Sequence, residues 1–85
     1  MKIVYTDDFR KQFCYWKEHN KKIVEKIENL IISISQNPFK GIGKPELLCF
    51  QLSGCWSRRI NREHRLVYKI EKEQIILISC QFHYD

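Results

Sequence analysis

Residues 21–37, KKIVEKIENLIISISQN, set Ile23, Val24, Ile27, Leu30, Ile31 and Ile34 at i, i+1, i+4, i+7, i+8 and i+11. That spacing gives a helix a wide apolar face, with Lys22, Glu25, Lys26 and Glu28 opposite. Asn37 should end it, because the residue before a proline disfavours the α region and Pro38 follows. Working outward, DDFRKQFCYWKEHN carries Phe9, Phe13 and Trp16 at i, i+4 and i+7. This predicts a helix of about three turns, capped by Thr6 or Asp7 and ended by His19 and Asn20. With almost no linker between them, the two helices should form an antiparallel hairpin.

The remainder reads as sheet. KIVYT at 2–6 is a short strand of β-branched and aromatic residues. NPFKGIGKPE, at 37–46, holds both prolines and two of the three glycines, so it should be a long turn. From Leu47 the apolar period becomes two, predicting strands over 47–52, 56–60, 64–70 and 74–82. In the last of these Ile76, Ile78, Cys80 and Phe82 are expected to face the core, with Ser79, Gln81 and His83 opposite. The fold class that follows is α+β. A short N-terminal strand and a helical hairpin pack on a mostly antiparallel sheet, in one domain over 1–85, leaving a polar sheet face open.

A chain of 85 residues buries only about 60% of the surface its unfolded form exposes, so the core must be modest. Hydrophobic content of 44%, with 13% aromatic, argues against disorder. The formal charge is +5, and its position is informative. Lys40 to Lys69 contains seven basic and two acidic residues, a surplus that equals the whole net charge. Such a cationic centre fits an anionic partner, RNA or DNA being the commonest, though a merely soluble basic surface has the same charge. The four cysteines form no CxxC pair, which argues against both zinc and a disulfide framework. The first residues lack a signal-type apolar run, and no segment approaches a membrane span. A cytoplasmic protein with reduced thiols and no membrane association is expected. No cofactor and no metal is called for.

Cleavage of RNA without a metal needs a base for the 2′-hydroxyl, cations for the pentacoordinate phosphate and an acid for the departing 5′-oxygen. Glu46, Arg59, Arg65, His83 and Tyr84 contain those groups. Each has a plainer reading. Glu46, after Pro45, reads by pattern alone first as a solvated loop glutamate. Arg65, inside a strand, must face the polar side, either as a phosphate ligand or as an ion-pair partner of Glu63, Glu71 or Glu73. His83 and Tyr84 are either an anchored acid and stacking group or a frayed end. Arg58 shares strand parity with Trp56 and Ile60, so Arg59 is the groove residue and Arg58 is expected to snorkel at the edge. His19 and His64 read as structural or surface residues.

NPFKGIGKPE, LSGCWSRRINREHRLVYKI and the terminal CQFHY together resemble the YoeB-type toxins of the RelE/ParE superfamily, toxin–antitoxin ribonucleases with the RelE-like microbial RNase fold. The resemblance runs over essentially the whole chain. It implies cleavage of messenger RNA in the ribosomal 30S A site and metal independence. It also implies homodimerisation and neutralisation by an antitoxin of YefM type, whose acidic C-terminal segment wraps the toxin. By position it implies Glu46 as general base, Arg65 as the stabiliser of the phosphorane and His83 as general acid. Tyr84 would orient the nucleotide, with Arg59 and Lys44 on phosphates. The chain departs from the family string PEPLK, having Leu47 in place of a proline and Cys49 in place of a lysine, and Asp85 follows the usual ending. A binding-only RNA or ribosome module with the same basic groove, and a groove for an acidic peptide, are the competing classes.

Overall fold

A computed structural model describes residues 1–82. The elements run β1 (Lys2–Tyr5), α1 (Asp7–His19), α2 (Lys21–Gln36), β2 (Glu46–Leu47), a 3-10 turn (Phe50–Leu52), β3 (Trp56–Arg59), β4 (Arg65–Glu71) and β5 (Gln74–Ser79). The strands form one sheet in the order β1-β5-β4-β3-β2. The β1–β5 pair is parallel and the other three pairs are antiparallel.

The hairpin owes its geometry to two caps. Thr6 Oγ1 accepts the Phe9 N–H at 3.2 Å, with Asp7 and Asp8 in the first turn where the helix dipole favours acid. Asn20 then serves both helices. Its N–H closes α1 on the Trp16 carbonyl at 2.8 Å, and its Oδ1 accepts the Ile23 N–H that opens α2 at 3.2 Å. One residue in extended conformation therefore reverses the chain.

The expected stripe is the one buried: Ile23, Ile27, Leu30 and Ile34 of α2 join Phe9 and Trp16 of α1 over Leu66, Tyr68, Ile75 and Leu77. Each such side chain stabilises the fold by about 1.5–3 kcal/mol relative to exposure.

Two strand expectations are corrected. The segment 47–52 is not a strand beyond Leu47: Leu48 donates once more, to the Cys55 carbonyl, before Phe50 adopts a φ of +58° and the chain turns. The ring of Phe50 is left 85% exposed. In β5 the core phase is the other one. Ile75 and Leu77 are fully buried while Ile76 is half-buried. The run Ile75–Ile78 is apolar in both phases, so alternation cannot choose between them. Pairing chooses: Ile75 and Leu77 lie opposite Ile3 and Tyr5 in β1 and opposite Ile70 and Tyr68 in β4. A bulge at Ile78 then resets the phase, so Cys80 is buried after all and Phe82 is 66% exposed.

Candidate active site on the open sheet face

The helices cover one face of the sheet. The register defines the other. Glu46 lies opposite Ser57, Ser57 opposite Val67, and Val67 opposite Ser79, one row crossing from β2 to β5. Two residues further along β3, about 7 Å, Arg59 stands opposite Arg65 on the same face. Ser57, Val67 and Ser79 form a buried floor. Ser79 Oγ has no hydrogen-bond partner there among the described residues.

Like charges directly opposite each other across a strand pair cost stability, and an anion between them would relieve that cost. Neither arginine has a carboxylate partner among the described residues, where the ion pairs are His19–Glu18 and Lys69–Glu71. The ion-pair reading of Arg65 is therefore not met there, and Glu71 is held by Lys69 at 3.2 Å. Arg65 is fixed instead by backbone. Its Nη1 donates to the Asn61 carbonyl at 2.6 Å and the His64 carbonyl at 3.0 Å. Its Nε and Nη2 make no hydrogen bond among the described residues. An arginine oriented through one nitrogen, with the rest of the fork open, is suited to phosphate oxygens.

Glu46 is exposed at the start of β2. Lys44, two residues earlier, is also exposed and has a φ of +51° where the loop leaves Gly43. The tip of that loop is pinned to β3 by the Arg59 N–H, which donates to the Gly43 carbonyl at 2.6 Å. His83, Tyr84 and Asp85 lie outside the described residues. The chain reaches Phe82 beside Arg65, whose N–H donates to the Phe82 carbonyl at 2.8 Å. Phe82 itself is not a core anchor, contrary to the expectation. Its backbone N–H donates to His64 Nδ1 at 2.8 Å, and its ring stays on the surface. His64 is structural, packed edge-on against Trp16 at 4.8 Å and held through its N–H by Asn61 Oδ1 at 2.8 Å.

Arg58 is the residue the sequence misplaced. It is fully buried, not snorkelling. Its parity with Trp56 and Ile60 aimed it at the helices, and the end of α2 meets it there before it reaches solvent. Two signals pointed to this: an arginine on a core-phase position, and Tyr68 on the facing strand with a buried hydroxyl needing a partner.

Residues 5–84 match the model of the YoeB-like toxin of bacterial type II toxin–antitoxin systems. A YoeB toxin of Synechocystis is 49% identical over 85 residues, spanning 100% of this chain and 99% of that one. The YoeB/ParE toxin from Agrobacterium tumefaciens superposes with a TM-score of 0.95 at 41% identity, covering 99% of this chain and 100% of the other. A YoeB–YefM complex from Staphylococcus aureus gives 0.90 at 44% identity, and a YoeB dimer from the same organism 0.91 at 42%. Both cover 99% of this chain and 98% of theirs.

Proposed function

Since the chain belongs to the family of YoeB-like toxins of bacterial type II toxin–antitoxin systems, we propose that it is a metal-independent endoribonuclease that cuts messenger RNA in the ribosomal A site and so stops translation. The observation that carries this reading is the Arg59–Arg65 pair, unbalanced by any carboxylate among the described residues, on the sheet face that also bears Glu46. Glu46 takes the proton of a 2′-hydroxyl. The 2′-oxygen attacks the adjacent phosphorus, and the bond to the 5′-oxygen breaks, leaving a 2′,3′-cyclic phosphate and a 5′-hydroxyl. Arg65 stabilises the charge that gathers on the phosphate oxygens, with Arg59 and Lys44 on flanking phosphates. His83 protonates the leaving oxygen and Tyr84 orients the nucleotide. General acid and base steps of this kind each contribute about 10²–10⁴-fold.

An antitoxin of YefM type, acidic where it crosses this face, is the partner that silences the enzyme, and the working form is a homodimer in the cytoplasm. Among the described residues no helix is long and apolar enough to cross a membrane. The test is translation of a defined message in a purified system, with cuts mapped by primer extension, comparing the protein with His83→Ala. Cuts confined to the A site and lost in the variant support the nuclease. Ribosome binding without cuts in either protein would replace it with a binding-only module, with Cys49 in place of the family's lysine as the first suspect.

A further inference from the structure

We infer that buried Arg58 and Tyr68 are positioning residues for the loop that presents Lys44 and Glu46, tying its backbone to the C-terminal end of α2. The inference rests on the reading of Glu46 as catalytic, and it concerns residues that make no contact with substrate.

A fully buried guanidinium normally has a carboxylate beside it. Arg58 has none among the described residues and reads backbone and hydroxyl oxygens instead. Its Nε donates to the Tyr68 hydroxyl at 3.1 Å. Nη1 donates to Ser33 Oγ at 2.7 Å and the Ile42 carbonyl at 3.2 Å. Nη2 donates to the carbonyls of Asn37 at 2.7 Å and Lys40 at 3.1 Å. All five N–H groups are therefore used. The Tyr68 hydroxyl, which accepts from Arg58, donates onward to the Pro38 carbonyl at 2.6 Å. Ser33 and Asn37 mark the end of α2, whose last turn contains no basic residue. The free carbonyls there form the negative end of the helix dipole, and Arg58 reaches across from β3 as its cation.

The result is a loop without regular structure whose backbone is nevertheless held at five carbonyls. The carbonyls of Asn37, Pro38, Lys40 and Ile42 are bonded by the two side chains, and that of Gly43 by the Arg59 N–H. The backbone passes so close to the clamp that side chains are excluded. A Cβ on Gly41 would lie 2.3 Å from Ser33 Oγ and 2.9 Å from Arg58 Nη1, and one on Gly43 would lie 2.7 Å from Leu30 Cδ2. Immediately beyond comes Lys44-Pro45-Glu46, and β2, with two residues, is too short to fix Glu46 alone. The clamp thus sets where the base stands.

The test uses the full chain carrying Tyr68→Phe, which removes one hydroxyl, and Arg58→Lys, which keeps the charge but not the fork. Three quantities are read: ribosome affinity, single-turnover cleavage, and amide exchange at Arg59, whose N–H reports the loop through Gly43, against amides of the central strands. Misplacement of a reacting group by about 1 Å costs about 100-fold, so cleavage should fall by that order with affinity unchanged. Exchange at Arg59 should quicken at least tenfold while central-strand amides keep their rates. Unchanged exchange at Arg59, or exchange quickened equally throughout, overturns the clamp. If the unsubstituted protein and Glu46→Gln alike fail to cut, the catalytic reading has failed, and the exchange pattern alone still decides whether the clamp holds the loop.

Discussion

Arg58 and Arg59 are adjacent in sequence, identical in chemistry and opposite in fate. Arg58 points under the helices, where it is fully buried and bonded through every N–H. Arg59 points to the open face, exposed and opposite another cation. Strand alternation alone separates them. The helix-side cation is satisfied by the fold and stabilises it. The open-side cations have no carboxylate partner among the described residues, and Arg65 is held there through Nη1 alone.

Removing each arginine in turn should separate the two faces most clearly. Arg58→Ala should cost about 3–5 kcal/mol in chemical denaturation, because it strands buried carbonyls and the Tyr68 hydroxyl together. Arg59→Ala should stay within about 0.5 kcal/mol. Equal losses would abolish the distinction between the faces. Next in size, Ile27→Ala, on the fully buried stripe of α2, should cost about 2–4 kcal/mol, while Ile32→Ala, 57% exposed on the same helix, should be nearly neutral.

The helix side also governs behaviour in alkali. Burial pushes the Cys80 thiol up to about 12 from 9.0, and raises the Tyr68 hydroxyl above its usual 10.0 against the opposing pull of Arg58. Below the unfolded values both groups are protonated in both states and pH has no effect through them. Above those values the unfolded chain releases the protons while the folded chain keeps them, so stability falls as pH rises from about 9 towards 12. Denaturation midpoints across that window check the sign. Thiol titration gives a finer contrast: Cys14 and Cys49 should react in the native protein, whereas Cys55 and Cys80 should react only on unfolding. The smallest effect is on the open side. Arg59→Ala and Arg65→Ala should each lower the salt slope of RNA binding by about one, and substitutions beneath the helices should leave it unchanged.

Most of this division was legible in the sequence where one pattern dominated. The stripe from Ile23 to Ile34 has a single period and Thr6 has a side chain that caps, so both helices followed; that Asn20 opens α2 as well as ending α1 was not read. The shared parity of Arg58 with Trp56 and Ile60 likewise separated it from Arg59. Reading failed where local pattern was silent. Ile75–Ile78 is apolar on both phases, so only pairing with β1 and β4 fixed its face. The segment after Leu47 alternates well enough for a strand, but Phe50 turns it out of the sheet. Arg58 was placed on the correct face and given the wrong environment. Its partners are carbonyls from residues 37–42 and the hydroxyls of Ser33 and Tyr68, and backbone carbonyls leave no trace in sequence.

The proposed function requires that the open-face cations serve chemistry rather than the fold. It is tested most directly by measuring cleavage and thermal stability together in Arg65→Gln. A-site cutting should fall by about 100-fold or more, with a midpoint within about 3 °C of the unsubstituted protein. Undiminished cutting, at any stability, would contradict it.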